Sequence, residues 1–178
     1  MTLKKVKIIS IIGTFLLCFL THFLYEVFPN NLFSIFFPVN ESIWEHMKML
    51  FTTILLFSLF EYFLLVYFKL NFNNFVFSKF IEAILSIPLY LFLFLPIYYK
   101  FGENMFVSIF LMLIVIIIVS IISYKFMTLN NFKYSNIIGI ILIIISYITF
   151  GYLTYNPIKT HLFLDTENEK YGINDYNI

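Results

Sequence analysis

The sequence contains no arginine, a single cysteine and few charged residues of any kind. Charged residues occupy 12% of its 178 positions, about half the share usual in soluble domains. Eleven lysines stand against ten acidic residues, so the net charge is only +1, and no basic field exists that would hold a nucleic acid. The single Cys18 excludes an internal disulfide framework.

What the chain has in excess is apolar surface. Hydrophobic residues make up 61% of it, and the mean hydropathy is +0.93. A soluble core of this length cannot enclose so much apolar surface, which excludes an ordinary cytosolic enzyme and a disordered chain. The sequence therefore predicts a small integral membrane protein whose first partner is the lipid bilayer. The composition does not indicate any particular protein partner.

Five stretches of the chain hold about 20 mostly apolar residues each, the length that a helix needs to cross a bilayer. We predict an all-α bundle of five transmembrane helices within residues 1–155, followed by a polar tail over 156–178. The predicted helices cover residues 6–28, 47–68, 81–99, 105–124 and 137–155. The first run lacks the small residues of a signal-peptide cleavage site, so we interpret it as a retained helix.

The lysines predict which way the bundle faces. With the N-terminus inside the cell, seven of the eleven lysines lie on the cytoplasmic side, as the positive-inside rule favours. The C-terminal tail is then extracytoplasmic. The segment 29–39 lies on the same outer side and is too apolar for a free loop. We expect it in the membrane interface or folded back toward the helices.

Two groups of polar residues stand out against this background. On the first helix, small or polar side chains recur every four residues and end with His22 and Glu26, so they share one face. The second group opens the second helix, where Ser42 and Glu45 have the spacing of a capping box. That spacing accounts for the carboxylate of Glu45 but not for His46, the imidazole next to it.

A short connection between the first two helices places both groups at the same membrane face. Asp165 of the tail is predicted to emerge on that side too. The leading hypothesis is a non-enzymatic structural or ligand-binding network, in which Asn40, Ser42 and Asp165 take part. It leads because the sequence has no recognised catalytic motif such as HExxH.

The alternative hypothesis is a metal-dependent membrane hydrolase acting on a lipid or envelope substrate. Imidazoles and carboxylates suit a divalent ion such as zinc, iron or manganese, and an open coordination position activates water. In this interpretation the metal ligands are His22, Glu26, Glu45 and His46. Glu41 serves as the general base, and Lys48 offsets developing negative charge.

Two further carboxylates lie inside the predicted spans. Charged groups there are costly, so each needs a partner or a function. We expect Glu61 to pair with Lys69 or a tyrosine, and Glu82 to snorkel or to cap near a helix end. A small carrier that uses Glu61, or a haem protein with two axial histidines, stays open as a third class of function.

The polar motifs also resemble a known family. The stretch Pro38-Val39-Asn40-Glu41-Ser42-Ile43-Trp44-Glu45-His46 is the most specific part, and the likeness extends over residues 21–26, 38–48, 61–62, 162–165 and 171–173. These segments are similar to an uncharacterised family of small bacterial multi-spanning membrane proteins. The resemblance implies a bacterial plasma-membrane protein and supplies no activity. Where the family carries prolines in the tail, this chain has Ile158, His161 and Thr166, so His161 is a poor candidate for a shared site.

Overall fold

The computed structural model describes residues 1–102 and 104–173. Within these residues the chain forms seven α-helices, one 3₁₀ turn and a short antiparallel hairpin. The elements are α1 (Leu3–His22), α2 (Leu24–Val27), α3 (Asn31–Phe36), α4 (Ile43–Tyr67), α5 (Phe75–Phe101), α6 (Met105–Thr128), α7 (Ser135–Tyr155), the 3₁₀ turn His161–Phe163, β1 (Leu164–Asp165) and β2 (Lys170–Tyr171). The last part of the predicted tail, 174–178, lies outside the described residues.

In the described part of the chain, five helical segments are long and apolar enough to span a membrane, which confirms the predicted all-α bundle of five spans. The first span runs through α1 and α2, and α4 to α7 form the others. α4 begins at Ile43 and α5 at Phe75, whereas we predicted starts at 47 and 81. The added turns carry charged residues, Glu45 in α4 and Lys79 in α5, and both are buried within the bundle.

Short polar side chains determine where several helices begin. The Ser42 hydroxyl accepts a hydrogen bond from the backbone N–H of Glu45 at 3.4 Å, which caps α4. Asn30 and Asn104 cap α3 and α6 in the same way. The reciprocal half of the predicted capping box does not form, because the Glu45 carboxylate accepts from the backbone N–H of Val39 instead.

α5 lies at the centre of the bundle, with α4, α6 and α7 packed against it. α1 packs on α4 and α6, and α3 packs on α7. The outer faces of the helices are as apolar as the core: Leu59, Phe92 and Ile148 are 70%, 76% and 66% exposed. An apolar surface of this extent requires a membrane around it.

α7 approaches α5 closely at Gly139. A Cβ atom at this position would lie 2.7 Å from the backbone nitrogen of Phe77, closer than real Cβ contacts come. The absence of a side chain therefore allows the two backbones to meet, as small residues do at helix interfaces in membranes.

α1 ends and α4 begins at the same end of the bundle, which we call the histidine end because His22 and His46 lie there. The tail packs on this end, where the ring of Phe163 stacks on Trp44 with 4.8 Å between centroids. The segment 29–39 folds back onto α7 as α3, with the Ser34 hydroxyl 2.9 Å from that of Tyr155. This is one of the two placements that its apolar composition predicted.

Candidate functional site

Three ligand-type atoms converge at the histidine end. The Nε2 atoms of His22 and His46 lie 3.0 Å apart. The carboxylate oxygen Oε2 of Glu41 lies 3.6 Å from Nε2 of His22 and 3.4 Å from Nε2 of His46. Among the described residues, these three form a group whose spacing suits a shared metal ion. We call them the His22–Glu41–His46 group.

Each member of this group comes from a different local structure. His22 is the last residue of α1, His46 lies in the first turn of α4, and Glu41 lies in the loop just before that helix. The Nδ1 atom of His46 is 2.9 Å from the carbonyl oxygen of Ser42, one turn back. Because a carbonyl only accepts, Nδ1 carries the proton of the neutral ring, and Nε2 keeps the lone pair that a metal ligand needs.

The charge on Glu41 follows from the same geometry. When His22 carries a proton on Nε2 and His46 has gained a second proton there, hydrogen bonds from His22, and then from His46, hold the pKa of the Glu41 carboxyl well below its usual range, although partial burial acts in the opposite direction. Glu41 is therefore a carboxylate at neutral pH. Its side chain is 42% exposed and those of the two histidines are 25% and 29% exposed, so solvent reaches the group.

The spacing of the three atoms matches one face of a coordination tetrahedron. Bonds of about 2.0–2.2 Å to a tetrahedral ion place ligand atoms roughly 3.3–3.6 Å apart. The observed distances of 3.0, 3.4 and 3.6 Å lie close to that spacing. The arrangement does not suit haem, because axial imidazoles lie on opposite faces of the macrocycle and a 3.0 Å separation leaves no room between them.

Glu45 and Lys48 lie apart from this group, in a buried ion pair of their own. The Lys48 ammonium contacts Glu45 and donates to the carbonyl of Ser34 at 2.7 Å and to the Thr154 hydroxyl at 2.9 Å. Thr154 in turn donates to Glu45 at 3.2 Å. The ion pair and its hydrogen bonds therefore link α4 to α3 and to α7. Glu45 does not join the ligands with which we predicted it, because successive helix residues point about 100° apart.

Glu26 also lies outside the His22–Glu41–His46 group. The predicted face with His22 and Glu26 four residues apart assumes one continuous helix. Instead α1 ends at His22, Phe23 interrupts it, and α2 begins at Leu24. Glu26 lies in α2 and its side chain is exposed.

Asn40, Ser42 and Asp165 form hydrogen bonds that hold the Glu41 loop against the tail. The Asn40 side chain accepts from the backbone N–H of Ser42 at 3.0 Å and donates to the carbonyl of Gly172 at 3.2 Å. Asp165 accepts from the backbone N–H of Glu41 at 3.4 Å. These contacts fix the backbone on both sides of a residue of the candidate site.

The comparisons with known proteins give a family and no activity. A family described as "Family of unknown function (DUF6512)" matches residues 1–173. The chain belongs to this family. No curated protein and no solved structure matches it. The family assignment confirms the resemblance to an uncharacterised family and supplies no biochemical activity.

A second cluster of charges lies toward the other end of this DUF6512 bundle, where sequence reasoning missed it. Lys7 of α1 is 3.1 Å from Glu61 of α4 and 3.0 Å from Glu82 of α5. Lys79 of α5 contacts Glu61 and lies 2.7 Å from Glu82. The four side chains are at most 6% exposed. We call them the four-charge network; its two positive and two negative charges compensate one another within the bundle.

The four-charge network corrects two expectations. Glu61 pairs with Lys7 and Lys79 rather than with Lys69, and Glu82 is buried in an ion pair rather than snorkelling. One signal was available in the sequence: Lys79 and Glu82 are three residues apart and therefore share a helix face. The contribution of Lys7 depends on how α1 packs against α4 and α6.

Proposed function

We propose that this protein binds a divalent metal ion, zinc foremost, at the His22–Glu41–His46 group. The observation that carries the proposal is the mutual spacing of the three ligand atoms, 3.0 to 3.6 Å, which fits one face of a tetrahedron. Two imidazoles and one carboxylate are the donor set that zinc takes in catalytic sites, with a fourth position open to water. The hydrogen bond from His46 to the Ser42 carbonyl provides the outer-shell contact that orients such ligands.

A metal-dependent hydrolase is the activity that this site supports. A cavity of about 60 Å³ lies beside Glu41 and His46 and is lined also by Tyr90 of α5 and Ser108 of α6. That volume exceeds the roughly 10–15 Å³ that one water molecule requires. A zinc ion at the group would lower the pKa of a water bound there and so supply a nucleophile. In this proposal Glu41 acts as a ligand rather than as the general base, and the Glu45–Lys48 pair is structural.

The cellular location belongs to the same proposal. The lysine distribution favours an extracytoplasmic histidine end, and the resemblance of the polar motifs favours the bacterial plasma membrane. A substrate would then approach from the outer leaflet or from the envelope, since the group lies where α1 ends and α4 begins.

A non-enzymatic network is the second candidate, and it has an observation of its own. The 3.0 Å separation of the two Nε2 atoms is also the distance of a direct hydrogen bond, and Glu41 lies within reach of both rings. A neutral His22 can therefore donate from Nε2 to His46 without an ion, while its buried Nδ1 has no hydrogen-bond partner. In that case its role would be to fasten α1 to α4.

Elemental analysis distinguishes the two candidates. Detergent-purified wild-type protein, loaded with zinc and then dialysed, should retain about one zinc per chain. His22→Ala and His46→Ala should each lose it. His161→Ala is the matched control, because His161 is the remaining histidine, lies at the same end against Tyr98 and is not a member of the group. A folded wild-type protein that retains no zinc, iron or manganese would refute the metal site and leave the network.

A further inference from the structure

A lateral groove of about 450 Å³ opens between α4 and α7, with the first turns of α5 as its floor. α4 contributes Leu55 and Leu59 to its walls, α7 contributes Ile143, and α3 covers one side with Phe33. Nearly all the atoms that face it are apolar. The groove does not include the His22–Glu41–His46 group, so a ligand in it would bind independently of the proposed metal site.

The groove results from the way in which α7 diverges from α4. Near the histidine end the two helices meet, where the rings of Phe51 and Phe150 are 5.0 Å apart and Lys48 reaches Thr154. Farther along, α7 is drawn onto α5 by the close contact at Gly139. The space left between α4 and α7 is the groove.

The groove opens at the depth of the membrane interior. Leu55 and Leu59 lie at and just beyond the middle of α4, which runs from Ile43 to Tyr67. At its rim, Leu32, Leu56 and Leu59 are 61%, 39% and 70% exposed. Because α4, α5 and α7 are membrane spans, this opening faces the hydrocarbon layer. Whatever fills it must come from that layer.

The charges near the groove exclude a bound headgroup. Lys79 is the charged residue among those that line it. Its ammonium is already held between the carboxylates of Glu61 and Glu82 and is almost fully buried. The described residues that line the groove therefore offer no free cation to a phosphate, and the groove matches a hydrocarbon chain alone.

The size of the groove argues against a helix as its occupant. From Thr52 to Leu59 it follows eight residues of α4, a rise of about 10 Å over seven steps of 1.5 Å. A membrane-spanning helix is about 30 Å long, roughly three times the length of this groove. A narrower, flexible chain fits. We propose that the groove between α4 and α7 binds the hydrocarbon chain of a membrane lipid.

Lipid retention by variants that fill the groove tests this proposal. Delipidated protein in detergent is mixed with deuterated phosphatidylethanolamine or, in a separate arm, with deuterated oleic acid, and bound lipid is counted by native mass spectrometry. Wild-type protein should retain about one molecule per chain. Ile143→Phe, and independently Leu55→Phe, should lower retention by roughly tenfold, the effect of losing contact with one or two methylenes. Ile148→Phe, on the lipid-facing side of α7, should bind like the wild type.

The two lipid probes show which kind of lipid supplies the hydrocarbon chain. Retention of both probes supports recognition of the hydrocarbon alone, and retention of phosphatidylethanolamine alone supports a phospholipid tail held with its headgroup outside the groove. The proposal fails if the wild-type protein retains neither probe. It also fails if both filled variants, shown to be folded by circular dichroism, retain as much lipid as the Ile148→Phe control. A dimer without lipid would assign the groove to a second copy and likewise overturn it.

Discussion

The backbone nitrogen of Glu41 lies 3.4 Å from the carboxylate of Asp165, which follows it in the chain by 124 positions. The same carboxylate accepts from the backbone N–H groups of Glu167 and Asn168 at 3.0 and 3.2 Å. Asp165 thus closes the turn between β1 and β2 and attaches that turn to the loop that carries Glu41. The tail is part of the support of the candidate metal site.

Replacing Asp165 should therefore weaken metal binding from a distance. Asp165→Asn removes the negative charge and one acceptor oxygen, so we expect zinc to bind about tenfold more weakly, as is usual when an outer-shell contact is lost. A competition titration with a zinc chelator measures this. Glu167→Gln is the control, because the Glu167 side chain is exposed and only its backbone takes part in the turn. Equal zinc affinity in Asp165→Asn and the wild type would show that Asp165 does not position Glu41.

Zinc affinity should fall as the pH is lowered from about 7.5 to about 5.5, because protons compete with the metal for imidazole nitrogens, which ordinarily titrate near pH 6.5. Glu41 contributes little to this change. Its pKa is depressed, so Glu41 stays ionised at every pH above the ordinary glutamate range. Its stabilising contacts are lost only when the pH falls below that range. The same chelator competition at the two pH values checks the sign. Tighter binding at the lower pH would contradict ligation by His22 and His46.

Removing one charge from the four-charge network should destabilise the bundle. Lys7→Met leaves two carboxylates against a single buried ammonium, and we expect a loss of about 3–5 kcal/mol in the free energy of unfolding. Thermal unfolding in detergent, followed by circular dichroism, measures it. Lys4→Met is the control, because Lys4 lies on the same helix and is exposed.

The double variant separates charge balance from packing in that network. Lys7→Met combined with Glu82→Gln removes one charge of each sign, so it should be more stable than the sum of the two single losses predicts. Strict additivity of the single effects would mean that Lys7 and Glu82 are not coupled, against their 3.0 Å separation.

Gly139→Ala should lower the free energy of unfolding by about 1–3 kcal/mol, the usual effect of overpacking. The new methyl group would press on the backbone of Phe77, which cannot move without displacing α5. Gly151→Ala, on the same helix, is the matched control, because its Cβ would meet the Ile35 side chain at an ordinary 3.5 Å. Equal unfolding temperatures of the two variants would show that α7 tolerates a wider separation from α5.

The number of spans and the position of the candidate site were both predictable from the sequence. Long apolar runs specify membrane helices with little help from tertiary structure, and a short connection forces His22 and His46 toward one face. The roles within the site were less accessible. Glu41 stands in a loop, where no helical periodicity says which way a side chain points, and Glu45 is turned away from His46 by one helical step.

The partners of the buried charges could not be predicted, for a different reason. Lys7, Glu61 and Glu82 lie on three separate helices, and their contact depends on how α1, α4 and α5 pack. A hydropathy scale scores each charged residue as unfavourable within its own helix and takes no account of residues on other helices. The compensation arises only in the assembled bundle, so prediction from one helix at a time pairs Glu61 with Lys69 or a tyrosine and leaves Glu82 to snorkel or to cap near a helix end.

The same dependence has a consequence for how the protein is made. Synthesis proceeds from the N-terminus at about 5–20 residues per second, and Glu82 follows Lys7 by 75 positions, so their meeting is delayed by roughly 4–15 seconds. During that interval the Lys7 ammonium lacks the Glu82 carboxylate and is most stable near the aqueous boundary. The Lys7 ammonium can therefore exchange water for both of its carboxylate partners only after α4 and α5 have been inserted. The earliest of the five described spans thus completes its contacts only after later ones are made.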